Sequence, residues 1–281
     1  MSKPPYDIDY LFDEVITLPS LPATVSRVVE MVNDPKCSLA DVGRAISGDP
    51  PLAAKTLRLV NTAFYGLREK VSSIEHAVVL LGLKVIKNLV FTATVFDTVK
   101  DATGLYFRHS VACGLAMRAL SEHVSTPLAD DAFALGLLHD IGKIVLETFL
   151  PKEYPAVISA IQTRRLSAYQ AEREVLGLDH AQVGARLAEK WKLSESFVQA
   201  IGGHHDLTVC QDEANRPAAA LITVADYVCV RSGLAPAHTF VQIDEPVWQS
   251  CGIGSAAMPK ALEKFFNDRP VLDELMQLAA A

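Results

Sequence analysis

His109, His139, Asp140, His180, His204, His205 and Asp226 lie in or beside segments that otherwise read as core-facing helices. Burying an unpaired imidazole or carboxylate costs several kcal/mol, so a group of them in apolar helices implies that they meet one another or an ion. Imidazoles combined with carboxylates suit a transition metal such as Fe, Mn, Co, Ni or Zn better than Ca or Mg. His139 and Asp140 are adjacent in GLLHDIGK (136–143), and Lys143 follows His139 by one helical turn. On that face it could offer positive charge to a phosphate. Taken alone, His109 reads as a satisfied core histidine, and His139 with Asp140 as a polar pair at a helix end before Gly142.

The elements that must position these groups read as helices throughout. TLPSLPATVSRVVEMVND places Leu21, Val25, Val28, Val29 and Val32 on one side at helical spacing. SLADVGRAISGDP begins at Ser38, a plausible N-cap, and stops at Gly48; PLAAKTLRLVNTAFYG opens on proline and closes at Gly66. SSIEHAVVLLGLKVIKNLVFTATVFDTV is long and largely apolar. Its His76, the only histidine before residue 100, reads as a surface or packed helix residue. The pattern breaks around residues 99–106, where a lobe boundary is expected.

Helical segments resume in YFRHSVACGLAMRALSEHV, DDAFALGLLHDIGKIVLETFL, YPAVISAIQTRRLSAYQAEREVLG, HAQVGARLAEKW, SESFVQAIGGHH and PAAALITVADYVCVRSG. The closing AAMPKALEKFFNDRPVLDELMQLAAA reads as one or two amphipathic helices that pack on the core or support a homodimer. Tyr154 and Trp191 read as packing anchors, Arg164 and Arg165 as an exposed face, and His123 and His238 as surface residues.

With 281 residues, half of them hydrophobic, the chain can bury a substantial core. Aromatics make up only 7% while Ala, Leu and Val dominate, which favours an all-α protein. A net charge of -7 argues against broad attraction to nucleic acid or anionic lipid. No basic-then-apolar leader and no uninterrupted apolar run of about 18 residues is present, so the protein is read as cytoplasmic, with no membrane partner. Cys37, Cys113, Cys210, Cys229 and Cys251 are odd in number and lack a Cys-x-x-Cys pair, so they read as small buried hydrophobes.

A lone histidine, an adjacent His-Asp pair and a distant aspartate form, in that order, the ligand series of the HD superfamily. LPSLP, DPPLAAKTLRLVNTAFYG, SSIEHAVVLLG, FRHS, GLLHDIGK, LGLDHAQVGARLAEKW and HH extend the match over roughly residues 11–230. The chain resembles HDOD proteins, a signalling-associated branch of the HD phosphohydrolase superfamily related to the HD-GYP cyclic-dinucleotide phosphodiesterases.

The resemblance implies a two-lobed helical bundle. Its first lobe would span residues 1–100, and residues 101–281 would form an HD-like metal-binding lobe with C-terminal helices. It implies His109, His139, Asp140 and Asp226 as metal ligands, with Asp140 able to bridge two ions, and His180, His204 and His205 as ligands of a second position. One or two ions of Fe, Mn, Ni, Co or Zn are expected, with Asp179 or Asp206 steadying a ligating imidazole. Many HDOD members lack some of these ligands and serve as output or scaffold modules, whereas the series here is complete. Two departures stand out. Asp206-Leu-Thr-Val follows the paired histidines in place of a Gly-Tyr-Pro loop, and Leu105 stands where some relatives carry an acidic ligand.

The expected role is a signal-transduction module acting through signalling proteins. The alternative is a metal-dependent phosphohydrolase acting on a nucleotide or phosphodiester, in which Asp140 and Lys143 would be the catalytic groups.

Overall fold

In a computed structural model, residues 8–12, 21–98, 104–124, 131–236 and 239–280 are described. All regular structure among them is helical: α1 (Ile8–Tyr10), α2 (Ala23–Asn33), α3 (Leu39–Ser47), α4 (Pro50–Val60), α5 (Ile74–Thr98), α6 (Leu105–Ser121), α7 (Ala132–Leu138) and α8 (Ile141–Phe149). There follow α9 (Tyr154–Arg164), α10 (Ala168–Val175), α11 (His180–Lys190), α12 (Glu195–Gly203), α13 (Arg216–Arg231), α14 (Glu245–Cys251), α15 (Met258–Asn267) and α16 (Arg269–Ala280). The all-α reading holds. The boundary expected around 99–106 falls largely outside the described residues, as does His238.

Local chemistry sets many of the helix starts. Ser38 with Asp41, Ser167 with Gln170, and Asp179 with Gln182 form reciprocal caps that satisfy N-terminal amides of α3, α10 and α11. Asp49 caps α4, and Pro50 and Pro51 occupy positions where no amide is needed. The long apolar run of α5 is broken at Gly82, whose φ of 79° favours glycine. Its stretch Ile74–Thr94 is long and apolar enough to cross a membrane, yet 56% of it is buried within the fold, as befits a core helix.

Three segments depart from the expected extents. Helix α4 ends at Val60, ahead of Gly66, because Asn61 Nδ2 donates to the carbonyls of Leu57 and Val71 and draws the chain into a turn. The run through 154–177 divides at Arg165, which takes the left-handed φ of 56°. The run through 131–150 divides at His139 and Asp140, so GLLHDIGK is a junction between α7 and α8.

Helices α2 to α5 pack mainly on one another, while α6 is enclosed by α7, α13, α15 and α16. Aromatic and polar contacts join the two groups: the Arg118 guanidinium lies 4.1 Å over the Phe64 ring, Phe91 meets Trp191, and Asn88 donates to Asp131 at 2.9 Å. The C-terminal helices pack back on the core, burying Ala261, Phe265, Leu272 and Leu275.

Candidate metal centre

The centre forms where α6, α8, α11, α12 and α13 converge, and GLLHDIGK brings two of them close. A side chain at Gly136 would strike the backbone of Cys113 on α6, and one at Gly142 would strike the His180 carbonyl at the start of α11. Only glycine permits that approach. His139 and Asp140 sit between the two glycines, in the bend where α7 ends and α8 begins.

The structure brings together every expected ligand. His109, His139, Asp140, His180, His204 and Asp226 are each at most 2% exposed, and His205 is half-buried at the edge. His109, His139 and His204 donate through Nδ1 to the carbonyls of Leu234, Gly136 and Ile201 at 2.9, 2.7 and 2.6 Å. His180 Nδ1 lies 2.6 Å from Glu172 Oε2. Because these partners only accept, the ring proton belongs on Nδ1 and the Nε2 lone pair is turned inward.

The inward atoms are spaced as ligands are. His109 Nε2 stands 3.1 Å from Asp226 Oδ1 and 3.5 Å from Asp140 Oδ2, and His139 Nε2 is 3.5 Å from Asp140 Oδ2. On the other side, Asp140 Oδ1 is 3.3 Å from His180 Nε2, which is 2.9 Å from His205 Nε2. Two donors each about 2.1 Å from one ion stand about 3.0–3.5 Å apart at right or tetrahedral angles. Asp140 thus has one oxygen toward each group of imidazoles.

Among the described residues, His139 Nε2, His204 Nε2, Asp140 Oδ1 and both Asp226 oxygens are buried without a well-aligned hydrogen bond. Such orphans would cost about 1–3 kcal/mol each, and a cation among them would satisfy them together. The residues present fit a transition metal.

The electrostatics agree at His139, His204 and Asp140, and run the other way at His109. Burial, then His139 and His180 beside it, holds the His204 imidazole down to about 3, and burial likewise lowers His139; both are neutral, as ligands must be. Burial opposes ionisation of Asp140, but His139, Lys143, His180 and His109 outweigh it and hold the carboxyl well below its usual range. For His109 burial is outweighed by Cys113 and Asp226, which raise it.

Three expectations about supporting residues need correction. Lys143 is buried and its Nζ lies 2.6 Å from Asp140 Oδ2, so its charge neutralises that carboxylate rather than reaching outward. Asp179 caps α11 by accepting from Gln182, and Asp206 accepts from Thr208; neither touches an imidazole. Glu172 does that work for His180, being fully buried and also accepting the His180 amide at 2.8 Å. Tyr154, expected only to anchor packing, is buried and its hydroxyl donates to Glu172 Oε1 at 3.3 Å. Cys113, one turn after His109, is grouped with His109, His139 and Asp226, their donor atoms all within 4.8 Å of one another.

The peripheral readings divide. His76 and Arg164 are exposed, with Arg164 paired to Glu174 at 2.6 Å, and His123 is half-buried. Trp191 is buried against Phe91. Cys113, Cys210, Cys229 and Cys251 are buried and Cys37 is half-buried. A cavity of about 450 Å³ opens onto His204 and His205, bordered by Arg165, Tyr169 and Phe240.

Known proteins are similar to this chain in sequence and fold. The HDOD domain model matches residues 18–207. An HDOD domain protein of unknown function from Geobacter sulfurreducens is 25% identical, with a TM-score of 0.78 over 93% of this chain and 94% of that one. A candidate phosphohydrolase from Shewanella amazonensis SB2B is 26% identical, with a TM-score of 0.74 over 93% and 95%. An uncharacterized protein from Treponema pallidum (strain Nichols) is 25% identical over 205 residues; the match spans 72% of this chain and 40% of that relative. The family match covers most of the chain, from ahead of α2 through α12 and the paired histidines: the chain belongs to the HDOD domain family.

Proposed function

We propose that the chain is a signal-transduction module that binds transition-metal ions and acts through protein partners. The observation that carries this reading is the set of imidazoles on His109, His139, His180 and His204, each fixed through Nδ1, with the Nε2 of His109, His139 and His180 within 3.5 Å of Asp140 or Asp226 and that of His204 buried without a hydrogen bond. His109, His139, Asp140 and Asp226 would hold one ion, and His180, His204 and His205 a second, with Asp140 between them. A regulatory role is favoured over turnover because Lys143 is spent on Asp140 and the ligands lie at most 2% exposed, His205 apart. An ion held there would act as a structural or sensed ligand whose occupancy sets how the surrounding helices pack. Unpaired cysteines fit a reducing cytoplasm.

The cavity over His204 and His205 supports a second reading, a metal-dependent phosphohydrolase that admits a nucleotide or phosphodiester. Bound metal would supply an acidified water and polarise the phosphoryl group. The chain's own part would be to seat the substrate beside Arg165 and Tyr169 and to keep Asp140 ionised through Lys143.

Metal analysis of anaerobically purified protein, with turnover of a generic phosphodiester in Mn and Fe and an Asp140→Ala control, separates the readings. Stoichiometric metal without turnover supports the module, and turnover that disappears in the control supports the enzyme. Protein free of metal after reconstitution overturns both.

A further inference from the structure

We infer that Cys113 is a thiolate ligand of the first metal position, so that the two halves of the centre differ in chemistry. The inference rests on the metal-binding reading above. Cys113 Sγ stands 3.5 Å from His109 Nε2, the inward-turned atom, and the thiol is 1% exposed. Sγ is also 3.8 Å from His109 Nδ1, so it lies beside the ring, and its membership of the metal group rests on donor atoms of His109, Cys113, His139 and Asp226 that all lie within 4.8 Å of one another. The same group contains His139 Nε2 and Asp226, whose inward atoms are buried and without aligned partners.

Helical geometry fixes the arrangement. Cys113 follows His109 by four residues on α6, which stacks it on the same face. Across the gap, Cys229 follows Asp226 on α13, yet it lies outside the four-donor group. The first position therefore offers two imidazoles, the Asp226 carboxylate and a sulfur, with Asp140 Oδ2 beside them. The second offers only the imidazoles of His180, His204 and His205, with Asp140 beside them.

On binding, the ion replaces the thiol proton, which leaves to solvent, and the S–metal bond forms. Thiolate shifts the first position toward Zn or Fe(II) and away from Mn, while the second remains a borderline nitrogen site. Two different ions could load in order.

The test is Co(II) titration of the intact metal-free protein, followed by absorption spectroscopy. Visible ligand-field bands with a near-ultraviolet thiolate-to-cobalt band are expected in the wild type. The near-ultraviolet band should vanish in Cys113→Ser and persist in Cys229→Ser. Should Cys113→Ser fail to fold, retention of the band in each of Cys37→Ser, Cys210→Ser, Cys229→Ser and Cys251→Ser assigns the sulfur by elimination, and its loss in any of them overturns the inference. Ligand-field bands without the near-ultraviolet band overturn the role of Cys113 while leaving the metal site intact. Absence of both overturns the metal reading and this inference with it.

Discussion

Helices before residue 99 and those after residue 104 bury polar atoms by different rules. In the first group the buried polar side chains are Thr56, Thr62, Asn88, Thr92 and Thr94, all neutral. Thr62, Thr92 and Thr94 donate to carbonyls three or four residues back, needing nothing from other helices. Besides the neutral Ser110, Ser121, Gln199 and Thr223, the second group buries His109, His139, Asp140, Lys143, Glu172, Asp179, His180, His204 and Asp226. His109, Asp140, Glu172, His180 and Asp226 meet partners on other elements, His139, Lys143, Asp179 and His204 also use partners three residues away, and several inward atoms find none. Stability alone favours the first pattern, because a buried ion pair seldom repays its desolvation. The second pattern is what a site for an external ion requires.

The largest effect should come from splitting the buried pair. Asp140→Ala leaves Lys143 charged and unpaired, and should lower the unfolding free energy of the metal-free protein by about 3–5 kcal/mol. Urea unfolding with Asp140→Ala/Lys143→Met should recover most of that loss; a double variant no better than the single would break the contrast.

Gly142→Ala should cost about 1–3 kcal/mol, since α8 must retreat from the His180 carbonyl. Thermal unfolding measures the loss, and chelator competition should show weakened metal binding in the same variant. Glu172→Gln should leave the fold intact but weaken metal affinity about 10–100-fold by loosening His180, as calorimetry would read. An unchanged affinity would mean that Glu172 serves packing alone.

In the metal-free protein, His204 ionises at about 3 when folded against 6.5 for the ordinary side chain. Between those values the unfolded chain binds more protons, so this contribution is fully present above pH 6.5 and is lost as pH falls toward 3. The groups around it are His139, His180, His205 and Asp140. The pH dependence of urea midpoints should be shallower in His204→Gln, by up to about 1.4 kcal/mol per pH unit. The smallest effect is expected among the first helices, where Thr92→Val should change stability by no more than about 1 kcal/mol. A larger change there would blur the distinction between the two groups.

Most of the ligands were legible in the sequence because histidine and aspartate are conspicuous in apolar helices. Glu172 was not, since AYQAEREV is a polar helix in which nothing marks the glutamate that faces inward. Cys113 was read as a small hydrophobe because a thiol suits a core equally well; its spacing from His109 is local to α6, and only packing brought His139 and Asp226 to the same group. Lys143 was placed on the right face, but its direction depended on Asp140, which the break between α7 and α8 turns toward it.

By itself the sequence determined the helical class, the starts of α3 at Ser38 and of α4 at its prolines, and the kinds of atom available to a metal. Those depend on residues within one or two turns of each other. Tertiary structure decided which polar face points inward, which carbonyl or carboxylate fixes each imidazole, and that Asp140 stands between two groups of donors. Such choices join residues as far apart as His109 and Leu234. They follow from helices packed so closely that Gly136 and Gly142 leave no room for a side chain.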